Sequence, residues 1–219
     1  MMSSRLFFRV ATACFIAAAA PANAQIFWQP PDFSGAPLNG YEEGMGVPVP
    51  GATRIEQQAV IAWNTRSALN IAALQCGFDP MLRTLPNYNS ILVDHRVELN
   101  NAFKTISNYF RRNNKTAQAA QKALDIYGTR TYSGFSTVRA QLGFCSAAAR
   151  VGRIALFTPK RGFTAMSETH LRELRNSLVP QGEHQFRFHP IPNRLVKFPN
   201  FDERCWKNNR YDTRCGIYY

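Results

Sequence analysis

The fold is decided by residues 53–112, TRIEQQAVIAWNTRSALNIAALQCGFDPMLRTLPNYNSILVDHRVELNNAFKTISNYFRR, which predict two helices. Thr53 and Glu56 have the spacing of a capping box, in which the threonine hydroxyl accepts from the amide three residues on and the glutamate reaches back to the amide of Thr53. The helix that follows ends at Cys76 and is apolar on all sides rather than on one face. We therefore predict that it is the central helix of a bundle.

The second predicted helix runs from about Pro86 to Arg112 and has one apolar face. Pro86 lies in the first turn, where the N–H that proline lacks would have no partner in the helix. Apolar residues and one histidine recur at spacings of three and four, the period of a single helix face. They are Tyr88, Leu92, His95, Leu99, Phe103, Ile106 and Phe110. Such a stripe indicates a helix that packs against the first.

Three further helices are predicted after this pair. The first runs from about Thr116 to Tyr127 and ends at Gly128, because glycine is a common helix stop. The next runs from about Ser136 to Leu156 and carries small residues that allow neighbouring helices to approach closely. A last helix, ending near residue 178, can be capped by Thr164 or by Ser167. The fold class is thus mainly α, with a bundle of four to five helices over residues 53–178.

Two non-helical segments flank the predicted bundle. Residues 25–52 are rich in proline and glycine, which excludes a helix there. We expect an extended arm lying on the bundle, or alternatively a docking segment for a partner. Residues 179–219 are predicted to form an irregular, partly β tail packed on the bundle. In this tail, residues 185–189 alternate with the period of a strand, and residues 195–198 are a candidate pairing partner.

The first 24 residues have the three parts of a secretory signal peptide: a positive start, an apolar run and a small-residue cleavage site at Ala22–Ala24. The mature chain would begin at Gln25. A lipoprotein signal at Cys14 is a weaker alternative, because Arg9 interrupts the apolar run before it. The signal is alanine-rich, which favours a bacterial source. No later segment has the roughly 18 apolar residues of a membrane span. We therefore expect a periplasmic or secreted protein without a transmembrane segment.

The cysteine count supports export. Cleavage would remove Cys14 and leave four cysteines, and an even number in an oxidising compartment is typical of disulfides. We favour Cys76 with Cys145, which ties the first helix to a later one, and Cys205 with Cys215, which closes a short polar loop. A metal site with His184 and His189 is the alternative, but the spacing matches no zinc motif. We predict no metal and no cofactor.

No short catalytic motif for hydrolases, zinc proteases, nucleotide binding or dinucleotide binding occurs in the sequence. The two weak candidates for catalysis are His95, beside Asp94 and one turn before Glu98, and a cluster of Glu183, His184 and His189. A histidine in an apolar helical stripe is more often a core residue with one satisfied nitrogen than a general acid or base. We therefore predict a non-enzymatic protein, with an envelope hydrolase acting on cell-wall material as the alternative.

Charge is strongly segregated along the chain. Removing the signal takes away 24 residues and two arginines, which leaves 195 residues and lowers the net charge from +12 to +10. Residues 25–100 hold 4 basic and 7 acidic residues, whereas residues 101–219 hold 20 basic and 7 acidic residues. Such asymmetry attracts polyanions. The alternative without a binding role is that the cations are simply solvated and that the aromatic residues fill the tail's own small core.

In the tail, cations alternate with aromatic residues that can stack on flat ligands. The predicted binding residues are Arg187, Lys197, Arg204, Trp206, Lys207, Arg210, Tyr211 and Arg214. For an exported protein the available polyanions are lipopolysaccharide, anionic lipid headgroups and acidic cell-wall peptides rather than nucleic acid. The sequence thus predicts a bacterial envelope protein that binds an anionic polymer or a protein partner through its basic C-terminal half.

Overall fold

The computed structural model describes residues 30–137, 139–180, 200, 202–208 and 210–216. Among these residues the fold is mainly helical, as predicted. Its helices are α1 (Arg54–Gln75), α2 (Thr84–Asp94), α3 (Arg96–Arg112), α4 (Ala117–Ser133), α5 (Gln141–Phe157) and α6 (Phe163–Asn176). The one sheet in this part of the chain pairs β1 (Trp206–Lys207) with β2 (Arg210–Tyr211). The predicted signal peptide and the predicted strands at 185–189 and 195–198 lie outside the described residues.

Helix α1 is the central helix of the bundle and contacts each of the other five. The predicted capping box is present: Thr53 Oγ1 accepts from the Glu56 amide, and Glu56 accepts from the Thr53 amide at 2.8 Å. Two buried hydroxyls in α1, those of Thr65 and Ser67, donate to carbonyls four residues back in the same helix. These two hydroxyls are therefore not left unpaired inside the bundle.

The predicted helix over residues 86–112 is wrong in one respect, because it is two helices that meet at His95. The backbone of His95 has φ −105° and ψ 17°, and its side chain is buried. Helical hydrogen bonds continue on both sides, from the His95 amide to Ile91 and from the Leu99 amide to His95. The apolar stripe is largely buried as predicted, but Phe103 is 42% exposed.

Helix α4 continues through Gly128 to Ser133, so the predicted stop at Gly128 is wrong. Glycine ends a helix only where the backbone turns left-handed, and Gly128 is not among the glycines with positive φ. Helix α5 begins at Gln141 rather than near Ser136.

The predicted caps of α6 are also wrong. Its N-cap position is Gly162, which has no side chain to offer. The cap comes instead from Glu98 in α3, which accepts from the amide of Phe163 at 3.1 Å and from the amide of Thr164 at 2.8 Å. The Thr164 hydroxyl donates to the same carboxylate at 2.8 Å rather than capping its own helix. Glu98 therefore fastens α3 to the start of α6.

The described part of the arm, residues 30–52, has no helix or strand and lies on the bundle. Phe33, Leu38 and Val49 are buried there. Backbone groups of the arm bond to α6, where the Leu38 amide donates to the carbonyl of Glu168 at 2.7 Å and Asn176 donates to the carbonyl of Phe33 at 2.9 Å. Residues 25–29 of the predicted arm lie outside the described residues.

Both favoured disulfides are present. Cys76–Cys145 joins the end of α1 to α5 with a Cα–Cα distance of 5.6 Å, and Cys205–Cys215 closes the tail at 5.8 Å. Both distances lie in the range of an unstrained bridge. Disulfides of this kind are typical of an oxidising, non-cytoplasmic location.

A polar network lies in the core between α1, α4 and α6. Asn64 donates to Tyr127 at 3.2 Å and accepts from Arg175 at 3.0 Å. Burial raises the pKa of Tyr127 to about 12 and lowers the pKa of Arg175 to about 10. The Arg175 guanidinium also lies 3.7 Å from the centre of the Phe135 ring. The network holds the inner face of α4 in place.

A search of the described helices finds none with the length and apolarity needed to cross a membrane.

Candidate functional site

The part of the predicted site that the structure describes is a small hairpin, which we call the basic hairpin (residues 202–208 and 210–216). Strands β1 and β2 are antiparallel, with Trp206 opposite Tyr211 and Lys207 opposite Arg210. Asn208 turns with a positive φ of 50°, as two-residue hairpin turns require. The disulfide Cys205–Cys215 closes the hairpin just outside the strands.

A four-residue motif occurs twice in the basic hairpin, as Asp202-Glu203-Arg204-Cys205 and Asp212-Thr213-Arg214-Cys215. Each copy forms a 3-10 turn in which the aspartate accepts from the arginine amide at 3.0 Å. Each aspartate also pairs with the guanidinium of the same arginine, at 2.9 Å and 2.6 Å respectively. These arginine hydrogen bonds lower the pKa of both carboxyls, and that of Asp212 to about 2.

The two arginines of the motif, which the sequence predicts as binding residues, are therefore each paired with an aspartate. Arg204 and Arg214 have a carboxylate within their own turn, so most of their charge is compensated. Sequence reasoning missed this because it counted charges along the tail and did not compare the two segments. The repeated Asp-x-Arg-Cys spacing is the sequence signal that could have predicted the two Asp–Arg pairs.

Lys207 and Arg210 are arranged differently. They lie directly opposite each other on one face of the hairpin, and both are exposed. Two like charges directly across a strand pair destabilise it. The size of this effect is about 0.2–1 kcal/mol, the same as the stabilisation from a pair of unlike charges. After the hydrogen bonds from Arg214, the charge of Lys207 also lowers the pKa of Asp212, so Lys207 has one favourable interaction within the hairpin besides its repulsion from Arg210.

The aromatic pair occupies the other face. Trp206 and Tyr211 are half-buried, with ring centres 5.3 Å apart in an edge-to-face arrangement. The Trp206 indole N–H donates to the carbonyl of Asn200 at 2.9 Å. These rings thus contact each other and the adjoining chain, in agreement with an aromatic core for the tail. Two further predicted binding residues, Arg187 and Lys197, lie outside the described residues.

His95, the first catalytic candidate, is a core residue. It is 2% exposed, and its Nε2 lies 3.1 Å from the carbonyl of Ala155, which requires the proton to be on Nε2. Its Nδ1 is 3.8 Å from Glu98, too far for a hydrogen bond. Glu98 is occupied in capping α6. A cavity of about 550 Å³ is lined by His95, Asp94 and Glu98 together with three cations, Arg96, Lys160 and Arg161. The second candidate cluster, Glu183, His184 and His189, lies in the tail segment that is not described.

A charged cluster that sequence reasoning did not find joins α5 to α6. Arg150 forms a two-pronged ion pair with Glu173, whose side chain is only 4% exposed. His170 Nδ1 lies 3.3 Å from the same carboxylate. Burial, and secondarily the charge of Arg150, lower the pKa of His170. Because the guanidinium already occupies both oxygens of Glu173, the cluster acts as a clamp between helices rather than as a general base.

Among the described residues, histidines, cysteines and carboxylates do not form a group of three that would hold a metal ion. No family model, curated protein or solved structure matches this chain. What the site can do must therefore be argued from its own chemistry.

Proposed function

We propose that this chain is an exported bacterial envelope protein without enzymatic activity, which binds anionic envelope polymers through its basic C-terminal half. The observation that carries the proposal is the exposed pair of Lys207 and Arg210 on one face of the basic hairpin. Cα atoms that are directly opposite in an antiparallel pair lie about 4.5–5.5 Å apart. Two long cationic side chains that start from Cα atoms this close can bring their charged ends to one phosphate or carboxylate together.

A bound anion would remove the cost of the like-charge pair. Unliganded, the two side chains repel each other; with a phosphate between them, each forms a charge-assisted hydrogen bond. The disulfide and the two Asp-Arg turns fix the hairpin, so little order has to be gained on binding. Preorganised cations of this kind favour a repeated, multivalent anion such as lipopolysaccharide.

The rest of the C-terminal half contributes a long-range field. The excess of 20 basic over 7 acidic residues after residue 100 gives this half a net charge of +13. Cations of this half that have no carboxylate partner among the described residues include Lys104, Lys115, Lys122 and Arg130. Such a field accelerates the approach of a polyanion, and salt screens it.

Export is supported by the signal-like N-terminus and by the two disulfides. A non-enzymatic role is supported by the partners of the described histidines, since His95 and His170 each face a group that is already engaged. The envelope-hydrolase alternative has one described feature, the cavity lined by His95, Asp94 and Glu98. We favour it less because the ring of His95 is bonded to the carbonyl of Ala155 and Glu98 caps α6.

The proposal is tested by co-sedimentation of residues 25–219 with lipopolysaccharide, anionic vesicles and purified cell-wall sacculi. Lys207→Glu/Arg210→Glu should reduce binding at low salt at least tenfold. Lys122→Glu/Arg130→Glu changes the net charge equally on exposed positions of α4 and is the matched control. Equal loss in both variants would mean that only net charge matters, and no binding by the unaltered protein at low salt would refute the proposal.

A further inference from the structure

A groove runs between α3 and α4, on the bundle and separate from the basic hairpin. It consists of two adjacent cavities of about 390 Å³ and 360 Å³ that share Phe103, Gln121 and Leu124. Cavities of this size are typical of small-ligand sites. No feature of the sequence analysis predicted it, and the basic hairpin does not use it.

One wall of the groove is aromatic. Phe103 projects from α3 and is 42% exposed, which is unusual for a residue of the helix's apolar stripe. Its ring lies 4.9 Å from the ring of Trp63, tilted by 36°. Arg66 packs against this wall: its guanidinium lies 4.7 Å from the centre of the Trp63 ring and donates a hydrogen bond to the Tyr132 hydroxyl. The rings are thus fixed before any ligand arrives.

The other wall is polar and belongs to α4. Gln121 donates to Asp125 at 2.8 Å, one turn apart, and both side chains are exposed. Thr129 continues the same edge and lines the groove with them. The wall therefore presents an amide, a carboxylate and a hydroxyl, which between them can donate and accept hydrogen bonds.

Gly128 lies in the middle of α4 and lines the groove. Its φ is not positive, and a Cβ built there would meet no atom within 4 Å. Glycine destabilises a helix interior relative to alanine. Here neither backbone geometry nor packing requires glycine. What the missing side chain leaves is open space in the groove.

We infer that the α3–α4 groove binds a saccharide, with a pyranose ring stacked on Phe103 and Trp63 and its hydroxyl groups bonded to the α4 edge. A pyranose has apolar C–H faces and a polar rim, which match one aromatic and one polar wall. An apolar helix of a partner protein would remove water from the hydrogen-bonded pair of Gln121 and Asp125 without giving their remaining polar groups a new partner. An acyl chain would do the same. A phosphate at the α4 edge would be repelled by Asp125, and the cation Arg111 lines only the cavity that Asp125 does not line.

The groove is a binding site rather than a site of cleavage. Glycoside hydrolysis uses two carboxylates on either side of the scissile bond. Among the described residues that line the groove, Asp125 is the only acidic one. The inference stands independently of the proposed function, because it uses none of the hairpin residues.

Tryptophan fluorescence tests the inference. The chain has three tryptophans, so Trp28→Phe/Trp206→Phe leaves Trp63 as the sole reporter. This protein is titrated with the tetrasaccharides of N-acetylglucosamine, glucose and mannose up to about 10 mM. A dissociation constant above that concentration counts as no binding. At least one should give a saturable change, and the absence of a change with all three would overturn the inference.

Two variants then locate the binding. Phe103→Ala removes the exposed ring, and Gly128→Leu fills the open space; each should weaken binding at least tenfold. Ala119→Leu adds a leucine at an exposed position of the same helix outside the groove and should leave binding unchanged. Circular dichroism verifies that each variant is folded. Binding that is unaffected by both groove variants would overturn the assignment. Because Lys207→Glu/Arg210→Glu should still bind the saccharide, failure of the proposed function is distinguishable.

Discussion

Replacing Glu98 by alanine should destabilise the protein more than any other exchange of a surface-reaching carboxylate. Glu98 accepts three hydrogen bonds at the start of α6, two from backbone amides and one from the Thr164 hydroxyl, at 2.8–3.1 Å. Its side chain is only 17% exposed, so water cannot fully replace it. Loss of an N-cap costs about 1 kcal/mol, and a negative charge at a helix N-terminus contributes about another 0.3–1 kcal/mol.

A further cost arises at Phe163, which is fully buried. Without the Glu98 carboxylate its backbone amide has neither a protein acceptor nor water as a partner. An unsatisfied buried donor costs about 1–3 kcal/mol. The total expected for Glu98→Ala is therefore about 2–5 kcal/mol. Glu98→Gln keeps one acceptor oxygen but places an amide donor near a backbone donor, so it should lose roughly half of that.

Urea unfolding followed by circular dichroism measures these values as shifts of the midpoint at constant slope. Glu43→Ala removes an exposed carboxylate in the arm and is the control. Thr164→Ala, alone and with Glu98→Ala, forms a double-mutant cycle that isolates the side-chain bond between the two residues. A loss below about 0.5 kcal/mol for Glu98→Ala, the range of ordinary surface substitutions, would refute the inter-helix cap.

Three further predictions concern stability. Replacing Cys76 and Cys145 by alanine opens a loop with a sequence separation of 69 and should lower the free energy of unfolding by about 4 kcal/mol in urea; an unchanged midpoint would contradict this. The pKa of His170 is lowered in the folded state, so the unfolded chain binds more protons as the pH falls through about 6.5, and the free energy of unfolding should fall there. This decrease should be absent from a pH series on His170→Gln, and an unchanged decrease would assign it to other groups. Gly128→Ala should raise the free energy of unfolding by roughly 0.5–1 kcal/mol in thermal or urea melts, and a destabilised variant would mean that the glycine is needed for packing.

Local patterns in the sequence predicted the helical class, the capping box at Thr53 and the pairing of the disulfides. The helical class and the capping box depend on residues near each other in the chain. Parity indicated disulfides, and the place of Cys76 at the end of a predicted helix favoured its pairing with Cys145 on a later one. The apolar character of α1 also predicted its central place, because a helix without a polar face has to be surrounded.

What the sequence did not predict depends on residues that meet only in the fold. The cap of α6 comes from Glu98, 65 residues before Phe163. The break at His95 accompanies a contact with Ala155 in α5. Gly128 was taken for a helix stop because composition does not reveal whether a glycine leaves a helix or keeps a groove open.

The candidate site was predicted in part. Clustered cations and aromatic residues pointed to the tail, but spacing alone did not separate Arg204 and Arg214, which pair with aspartates, from Lys207 and Arg210, which face each other. That distinction requires the strand register.

The most direct test of the central claim is the salt dependence of binding to lipopolysaccharide. Plotting the logarithm of the association constant against that of the salt concentration reports how many ionic contacts form, as it does for other polyanions. We expect a steep negative slope for the unaltered protein. In Lys207→Glu/Arg210→Glu the slope should be shallower by the amount that corresponds to about two ionic contacts, and in Lys122→Glu/Arg130→Glu it should change less. A slope that is the same for the hairpin variant and the unaltered protein would contradict it.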